Sequence, residues 1–197
     1  KNGLPAVDDG NGFFKESAHS YWSVLEDGND VREGGAAGEL TVGRTVYTNI
    51  SSEKNLTDDD NRFNETNITT ALLGAANNND RKTIIHWALG YDVAHDNYDV
   101  NDSSSLNSTP AHKDFGDPLH SQPTVLAYNS STASKNKTVI YVGTNHGYLH
   151  AIDSGDTSGQ ELWSFIPQDL LSTLRIYLFS SVRSRNKRST NKYINTK

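Results

Sequence analysis

The chain has 197 residues, of which 34% are hydrophobic and 21% are charged, and its formal net charge is −6 at pH 7. This length suits one ordinary domain or two small ones. The acidic balance argues against general nucleic-acid binding, which needs clustered lysine and arginine. The absence of cysteine excludes disulfides, zinc–thiolate sites and thiol catalysis.

Three further features of the sequence bear on the origin and the location of the chain. The chain contains no methionine, and we therefore expect a fragment or a processed chain. No stretch approaches the roughly 20 apolar residues of a membrane span. No signal peptide stands at Lys1, so any export signal is expected upstream of it.

The last 28 residues, 170–197, differ in composition from the rest of the chain. They hold seven lysine or arginine residues and no acidic residue. Such a segment is either a basic tail for nucleic acid or membranes, or non-native sequence such as the product of a shifted reading frame. We favour the second interpretation and expect this tail to be non-native or disordered.

Residues 1–60 are rich in Gly, Asn and Asp, the residues that favour turns. They predict an irregular region with short strands, such as an edge strand at residues 44–50. Residues 61–115 predict two short helices followed by an acidic linker. Asn67 is the expected cap of the first helix, and Asn79 or Asp80 the expected cap of the second.

The second predicted helix, "RKTIIHWALG", has apolar residues on one face and ends at Gly90, a natural residue for a helix C-terminus. His86 and Trp87 flank that face. We expect His86 to be a packed or surface residue rather than a ligand.

The linker at residues 91–115 contains Asp92, Asp96, Asp99 and Asp102. Their carboxylates allow a calcium hypothesis, since hard cations prefer oxygen ligands. Their spacing does not fit the D-x-[DN]-x-[DN]-G pattern, and no glycine makes the sharp turn. We therefore expect a solvated acidic loop and leave calcium binding open.

Four apolar runs of seven or eight residues follow Gly116, at residues 122–128, 137–144, 147–153 and 160–167. The segments "TNHG" and "SGDTSG" are typical of tight turns. Alternation places Leu149 and Ala151 on one face, and Tyr148, His150 and Ile152 on the other. The pattern predicts a four-stranded antiparallel meander over residues 116–169, the form of one β-propeller blade.

The fold class predicted for the whole chain is mainly β with a small helical segment. It consists of a partial β-propeller of about one blade, preceded by an irregular region with two short helices. A single blade exposes both faces, so it implies a larger array. We expect the isolated chain to be partly disordered, or prone to aggregate through its open sheet edge.

Few residues in the sequence suggest a catalytic or metal-binding site. Asp117, His120 and Ser121 lie within five residues, but catalytic triads assemble from separated segments. His146 and His150 lie on a turn and a strand, so the helical spacing of zinc enzymes does not apply, and we expect His150 to hydrogen-bond within the blade. The sequence therefore predicts no enzyme and no catalytic, cofactor-binding or metal-binding residues.

The segment "AIDSGDTSGQELWSF" resembles the AxD-x-TG-x-x-x-W signature of pyrroloquinoline-quinone-type propeller blades. In those repeats the tryptophan, here Trp163, docks against an adjacent blade. The resemblance implies a structural role for Trp163.

A closer resemblance covers residues from about 8 to 174. "GDPLHSQPTVLAY", "IYVGTNHGYLHAID" and "ELWSFIPQDLL" are similar to the start of the propeller domain in the PilC/PilY family of proteins associated with the tips of type IV pili. The upstream "DGNDVREGGAAGEL", "RTVYTN", "ITTALLGA" and "IIHWALGYDV" resemble the region just before that propeller. The chain departs from the family in lacking its long N-terminal region and in stopping after one blade.

This resemblance implies a bacterial protein of the cell surface, at the pilus tip or outer membrane, that supports pilus assembly and adhesion. It implies pilins, minor pilins or other pilus machinery as partners, and a possible host or surface receptor. The family's calcium loop has no match in this sequence, so no calcium ligands are expected here. Two alternatives stay open: a fragment of a quinone-dependent propeller dehydrogenase, or a degraded gene product without its own function.

Overall fold

A computed structural model describes residues 6, 7, 10, 12, 14–23, 26–28, 32–129, 132, 136–155 and 159–183. They include strands β1 (Val46–Tyr47), β2 (Thr124–Tyr128), β3 (Lys137–Gly143), β4 (Leu149–Asp153) and β5 (Glu161–Phe165). The α-helices are α1 (Gly35–Gly38), α2 (Thr70–Leu73), α3 (Asn78–Ala88) and α4 (174–183). Short 3₁₀ turns span Asp59–Asn61, Ser103–Asn107 and Gln168–Thr173.

The chain divides into two compact units, each built from two separate segments. The first unit comprises Lys1–Arg44 and Lys113–Phe165, and the second comprises Thr45–His112 and Ile166–Lys197. In the described ranges, no helix combines the length and the apolar character needed to cross a membrane.

The first unit contains an antiparallel meander in which β2, β3, β4 and β5 pair in sequence order. The four predicted strands are confirmed, each one to three residues shorter than expected. The "TNHG" turn is also confirmed, since the Gly147 N–H donates to the Thr144 carbonyl over 2.9 Å and Gly147 has a φ of 83°. The "SGDTSG" turn lies partly outside the described residues.

The strand register confirms the two faces predicted for β4. His150 lies opposite Val142 on β3 and Ser164 on β5, whereas Ala151 lies opposite Tyr141 and Trp163. Directly opposed residues of antiparallel strands share a face. The side chains of His150 and Ser164 therefore lie on one side of the sheet, and those of Tyr141 and Trp163 on the other.

The predicted fold class is correct for the antiparallel meander and for the two short helices before it. The chain as a whole is a mixed α/β protein, because helical structure also follows the last strand. Over the residues that the structure describes, the sheet is open and does not close on itself.

The second unit has an apolar core drawn from both of its segments. The predicted strand at 44–50 is reduced here to β1, where the Phe63 N–H donates to the Val46 carbonyl over 2.9 Å. The buried side chains come from β1, the segment before α2, the helices and the chain after β5: Val46, Phe63, Ile68, Leu73, Ile84, Ile85, Trp87, Ala88, Ile166, Leu171, Leu174 and Leu178.

Both helices before the sheet begin at other residues than predicted. Thr69 caps α2 by accepting the Leu72 N–H over 3.3 Å, while the Asn67 amide donates to the Arg62 carbonyl instead. Asn77 caps α3 by accepting the Asp80 N–H over 2.9 Å. The Asp80 carboxylate accepts the N–H of Ala76, the residue before the cap, and this second bond also fixes the helix start.

The prediction of a disordered tail is wrong for residues 170–183. They form the end of a 3₁₀ turn and helix α4, and bury Leu171, Leu174 and Leu178. Spacings of three and four residues place these leucines on one helical face. The net charge of the segment obscured this periodicity. Residues 184–197 lie outside the described residues, and the non-native origin of the segment and the segment boundaries at 60, 115 and 169 stay predictions.

Candidate functional site

Asp117 and Ser121, two of the three residues considered for a hydrolase triad, form hydrogen bonds with the end of β3 and the turn that follows it. The Asp117 N–H donates to the Asn145 Oδ1 over 2.8 Å, and the Asn145 N–H donates to the Asp117 carbonyl over 2.9 Å. The Ser121 Oγ accepts the Gly143 N–H over 3.0 Å. His120 is exposed. The segment is an entry turn that anchors β2 to the end of β3.

Gly116 is the tightest point of this entry turn, and its replacement by alanine is expected to destabilise the first unit by about 1–3 kcal/mol. Gly116 has a φ of 84°, and a Cβ there would lie 2.9 Å from the His146 Cγ and 3.1 Å from the Asn145 Oδ1. Denaturant unfolding measures the loss. Gly35→Ala is the matched control, since Gly35 has a φ of 57° but its nearest neighbour is 3.9 Å away. Equal losses in the two variants would contradict the crowding at Gly116.

A buried ionic cluster lies on the His150 face of the sheet. The Arg44 Nε lies 3.0 Å from the Glu161 Oε2, with side-chain exposures of 3% and 6%. The Arg44 Nη2 donates to the Ser164 Oγ over 3.2 Å. The His150 Nδ1 lies 2.5 Å from the Glu161 Oε1. The Glu161 carboxylate therefore contacts both the Arg44 guanidinium and the His150 imidazole.

The electrostatics of this cluster favour a charged Glu161 beside a neutral His150. Burial alone raises the pKa of Glu161, but the Arg44 charge and the His150 hydrogen bond outweigh it and hold the pKa below its ordinary value. Burial lowers the pKa of His150 despite the Glu161 hydrogen bond. A neutral imidazole whose Nδ1–H donates to a carboxylate satisfies both groups.

Aromatic rings enclose the cluster. The Phe115 ring stacks on the His150 ring with centroids 4.2 Å apart, and the Arg44 guanidinium lies 5.0 Å from the centroid of the Tyr148 ring. Burial raises the pKa of the Tyr148 hydroxyl. His150 is fully buried, so the cluster presents no imidazole to a substrate. The expected internal hydrogen bond of His150 is confirmed, and it links β4 to β5.

His146 lies near this cluster but does not join His150 in a metal site. It is half-buried, and burial lowers its pKa against the opposing charges of Asp114 and Asp117. Among the described residues, no three His, Asp or Glu side chains are gathered in a way that could hold a metal ion.

A second polar cluster lies in the other unit. The Nε2 of His86 is 2.8 Å from the Glu65 Oε1, and its Nδ1 is 3.0 Å from the Tyr98 hydroxyl. Since a carboxylate only accepts, Nε2 donates its proton to Glu65. His86 is buried, so the prediction of a packed histidine is confirmed. The cluster ties the 95–98 turn to helix α3.

Three of the four aspartates in the 92–102 loop accept hydrogen bonds from backbone N–H groups two residues further along the chain. The Asp92 Oδ1 accepts the Ala94 N–H over 3.2 Å, and the Asp102 Oδ1 accepts the Ser104 N–H over 2.9 Å. Asp99 likewise accepts the Asn101 N–H over 2.8 Å. Short acidic side chains commonly stabilise turns in this way. This accounts for the spacing of three of the four aspartates without a cation.

The most distinctive exposed surface of the first unit is the apolar outer end of its sheet. Every residue of β2 is exposed, and Val125, Leu126 and Tyr128 keep 59%, 46% and 48% of their surface in solvent. Large exposed apolar patches commonly mark interaction sites.

Sequence reasoning missed Arg44 and Glu161 as partners. A glutamate that begins an otherwise apolar strand was the available signal, but its partner lies 117 positions away in the chain and no local pattern connects them. Comparison with known protein families, with curated proteins and with solved structures found no match to this chain.

Proposed function

We propose that this chain is the beginning of a β-propeller domain from a PilC/PilY-type pilus protein, and that it acts through its surfaces in pilus assembly and attachment. The proposal starts from the sequence resemblance, which covers residues from about 8 to 174. The observation that supports it best is the four-stranded antiparallel meander of β2 to β5.

The exposed apolar side chains support a role as part of a larger array. Leu126, Tyr128 and Leu149 lie on the same face of the sheet by register, and each keeps more than a third of its surface in solvent. Burying such area against neighbouring blades would contribute about 25 cal/mol per Å². A blade adjacent in the full-length protein is the natural cover for this face.

Trp163 belongs to the same face and is half-buried. Its ring lies 5.8 Å from the Tyr141 ring, and it stands opposite Ala151 on β4. Because Ala151 is small, it leaves room beside the indole for a neighbouring sheet to contact Trp163. This arrangement supports a structural role for Trp163 in joining blades.

On this proposal the partners are pilins, minor pilins or other pilus machinery, and the site of action is the bacterial surface. The buried His150 and His86 are occupied by internal hydrogen bonds. On this proposal both histidines hold the fold, and the protein acts by binding.

The proposal is tested in the organism that encodes the sequence. Disrupting the gene is expected to reduce surface pili and twitching motility severalfold, as counted by electron microscopy and by colony spreading. Restoring the intact gene should restore both. Normal piliation in the disrupted strain would refute the proposal.

Two further readouts separate this proposal from the alternatives. Reading the neighbouring DNA in all frames should reveal further blades, whereas their absence would favour a degraded gene product. Purified full-length protein is expected to show no quinone-dependent dehydrogenase activity. Such activity with a bound quinone chromophore would favour the dehydrogenase interpretation instead.

A further inference from the structure

The outer edge of β2 carries backbone groups that can be assigned from the register. The Ser154 N–H donates to the Thr138 carbonyl over 3.0 Å, and the Thr144 N–H donates to the Tyr148 carbonyl over 2.8 Å. Even-numbered residues of β3 therefore direct their backbone towards β4, and odd-numbered residues direct theirs towards β2. The bond from the Gly143 N–H to the Ser121 Oγ agrees with this alternation.

The same alternation fixes the direction of each residue in β2. Tyr141, Val139 and Lys137 of β3 lie opposite Thr124, Leu126 and Tyr128, whose backbone groups thus point into the sheet. The N–H and C=O groups of Val125 and Ala127 point outwards, and they have no partner among the described residues.

We propose that β2 pairs antiparallel with β2 of a second copy of this chain, with the two-fold axis at Leu126. In that register Val125 of one copy lies opposite Ala127 of the other, so their outward groups form four reciprocal hydrogen bonds. The donors and acceptors are symmetric about Leu126, and the strand is therefore its own complement. This inference does not depend on the proposed function.

Charge also favours a second copy as the occupant. Residues 121–134 contain no charged side chain, so no like charges meet when the strand pairs with itself. Exposed edge strands are ordinarily protected by lysine, proline or a bulge. Within β2 itself none of these is present, and Pro123 only precedes it. The pairing places Val125 beside Ala127 and Leu126 beside its own counterpart, which are apolar contacts.

The chain lacks cysteine, which allows a sharp test by a single introduced thiol. In the proposed register the two copies of residue 126 form a non-hydrogen-bonded pair with Cα atoms about 4.5 Å apart. That separation lies within the range of disulfides, roughly 4.4–6.8 Å. The variant Leu126→Cys is therefore expected to form a disulfide-linked dimer under mild oxidation, seen by non-reducing electrophoresis.

The matched control is Tyr128→Cys, since Leu126 and Tyr128 are almost equally exposed. Across the two-fold axis the copies of residue 128 are offset by four residues, or about 14 Å at about 3.4 Å per residue. This variant should therefore cross-link far more slowly. Equal cross-linking of both variants would show random collision and overturn the proposal.

A second measurement uses the chain without any thiol. Sedimentation velocity of the unmodified chain should show a monomer–dimer equilibrium that depends on concentration. Ala127→Lys adds one lysine to each copy, opposite Val125 of the other copy. Repulsion between the two lysines should weaken the dimer by about tenfold or more. A chain that stays monomeric at every accessible concentration, or an Ala127→Lys variant that dimerises as well as the unmodified chain, would overturn the proposal.

Discussion

Replacing Arg44 by alanine is expected to destabilise the first unit by about 3–5 kcal/mol, because it leaves the Glu161 carboxylate buried without its cation. The two side chains are 3% and 6% exposed, so the Glu161 carboxylate depends on its protein partners rather than on bulk solvent. The loss also removes the donor to the Ser164 Oγ. Chemical denaturation measures the free energy, and amide hydrogen exchange of β3–β5 peptides assigns the loss to this unit.

Two variants separate the buried pair from ionic pairing in general. Lys137 and Asp153 form an exposed pair at 2.9 Å with a lysine that is 51% exposed, so Lys137→Ala should cost less than about 1 kcal/mol. The double change of Arg44→Met with Glu161→Gln removes both charges and should cost less than the two single changes added together. Additive losses would contradict the coupling between Arg44 and Glu161.

The local structure was largely predictable from the sequence. The four strands of the meander and the helix that ends at Gly90 follow from apolar periodicity and from glycine and asparagine at the turns, since neighbouring residues determine both. The caps were misplaced by two residues in α2 and by two or three in α3. Several nearby residues at each helix start can accept an N–H, and only the backbone conformation selects one of them.

The contacts within each unit were not predictable from the sequence. Arg44 reaches Glu161 across more than a hundred residues, and Glu65 reaches His86 across 21. The pairing of such side chains depends on how distant segments pack, and periodicity carries no record of it. Composition was also misleading for the tail at residues 170–197, because its seven lysine and arginine residues predicted disorder, whereas leucines at helical spacing fold residues 170–183 into helical structure.

Stability of the first unit is expected to fall as the pH is lowered from about 6.5, where unfolded histidine begins to bind protons. Burial holds the folded pKa values of His150 and His146 below their ordinary value of 6.5. The unfolded chain therefore binds more protons than the folded unit, and each histidine contributes a slope of at most about 1.4 kcal/mol per pH unit. The folded pKa of Glu161 is also lowered, so stability falls further as the pH drops below about 4.5, the ordinary pKa of glutamate.

Denaturant unfolding at a series of pH values from 7 down to about 5 isolates the histidine contribution, because the carboxylates of unfolded chains titrate mainly below that range. The variant His150→Gln removes one titrating group from the buried cluster and should flatten the slope in this window, whatever its effect on stability at pH 7. His120→Gln is the matched control for the substitution itself, since His120 is exposed and lies outside the buried cluster. A slope that His150→Gln leaves intact, or a unit that grows more stable towards pH 5, would mean that His150 is not held neutral beside Glu161.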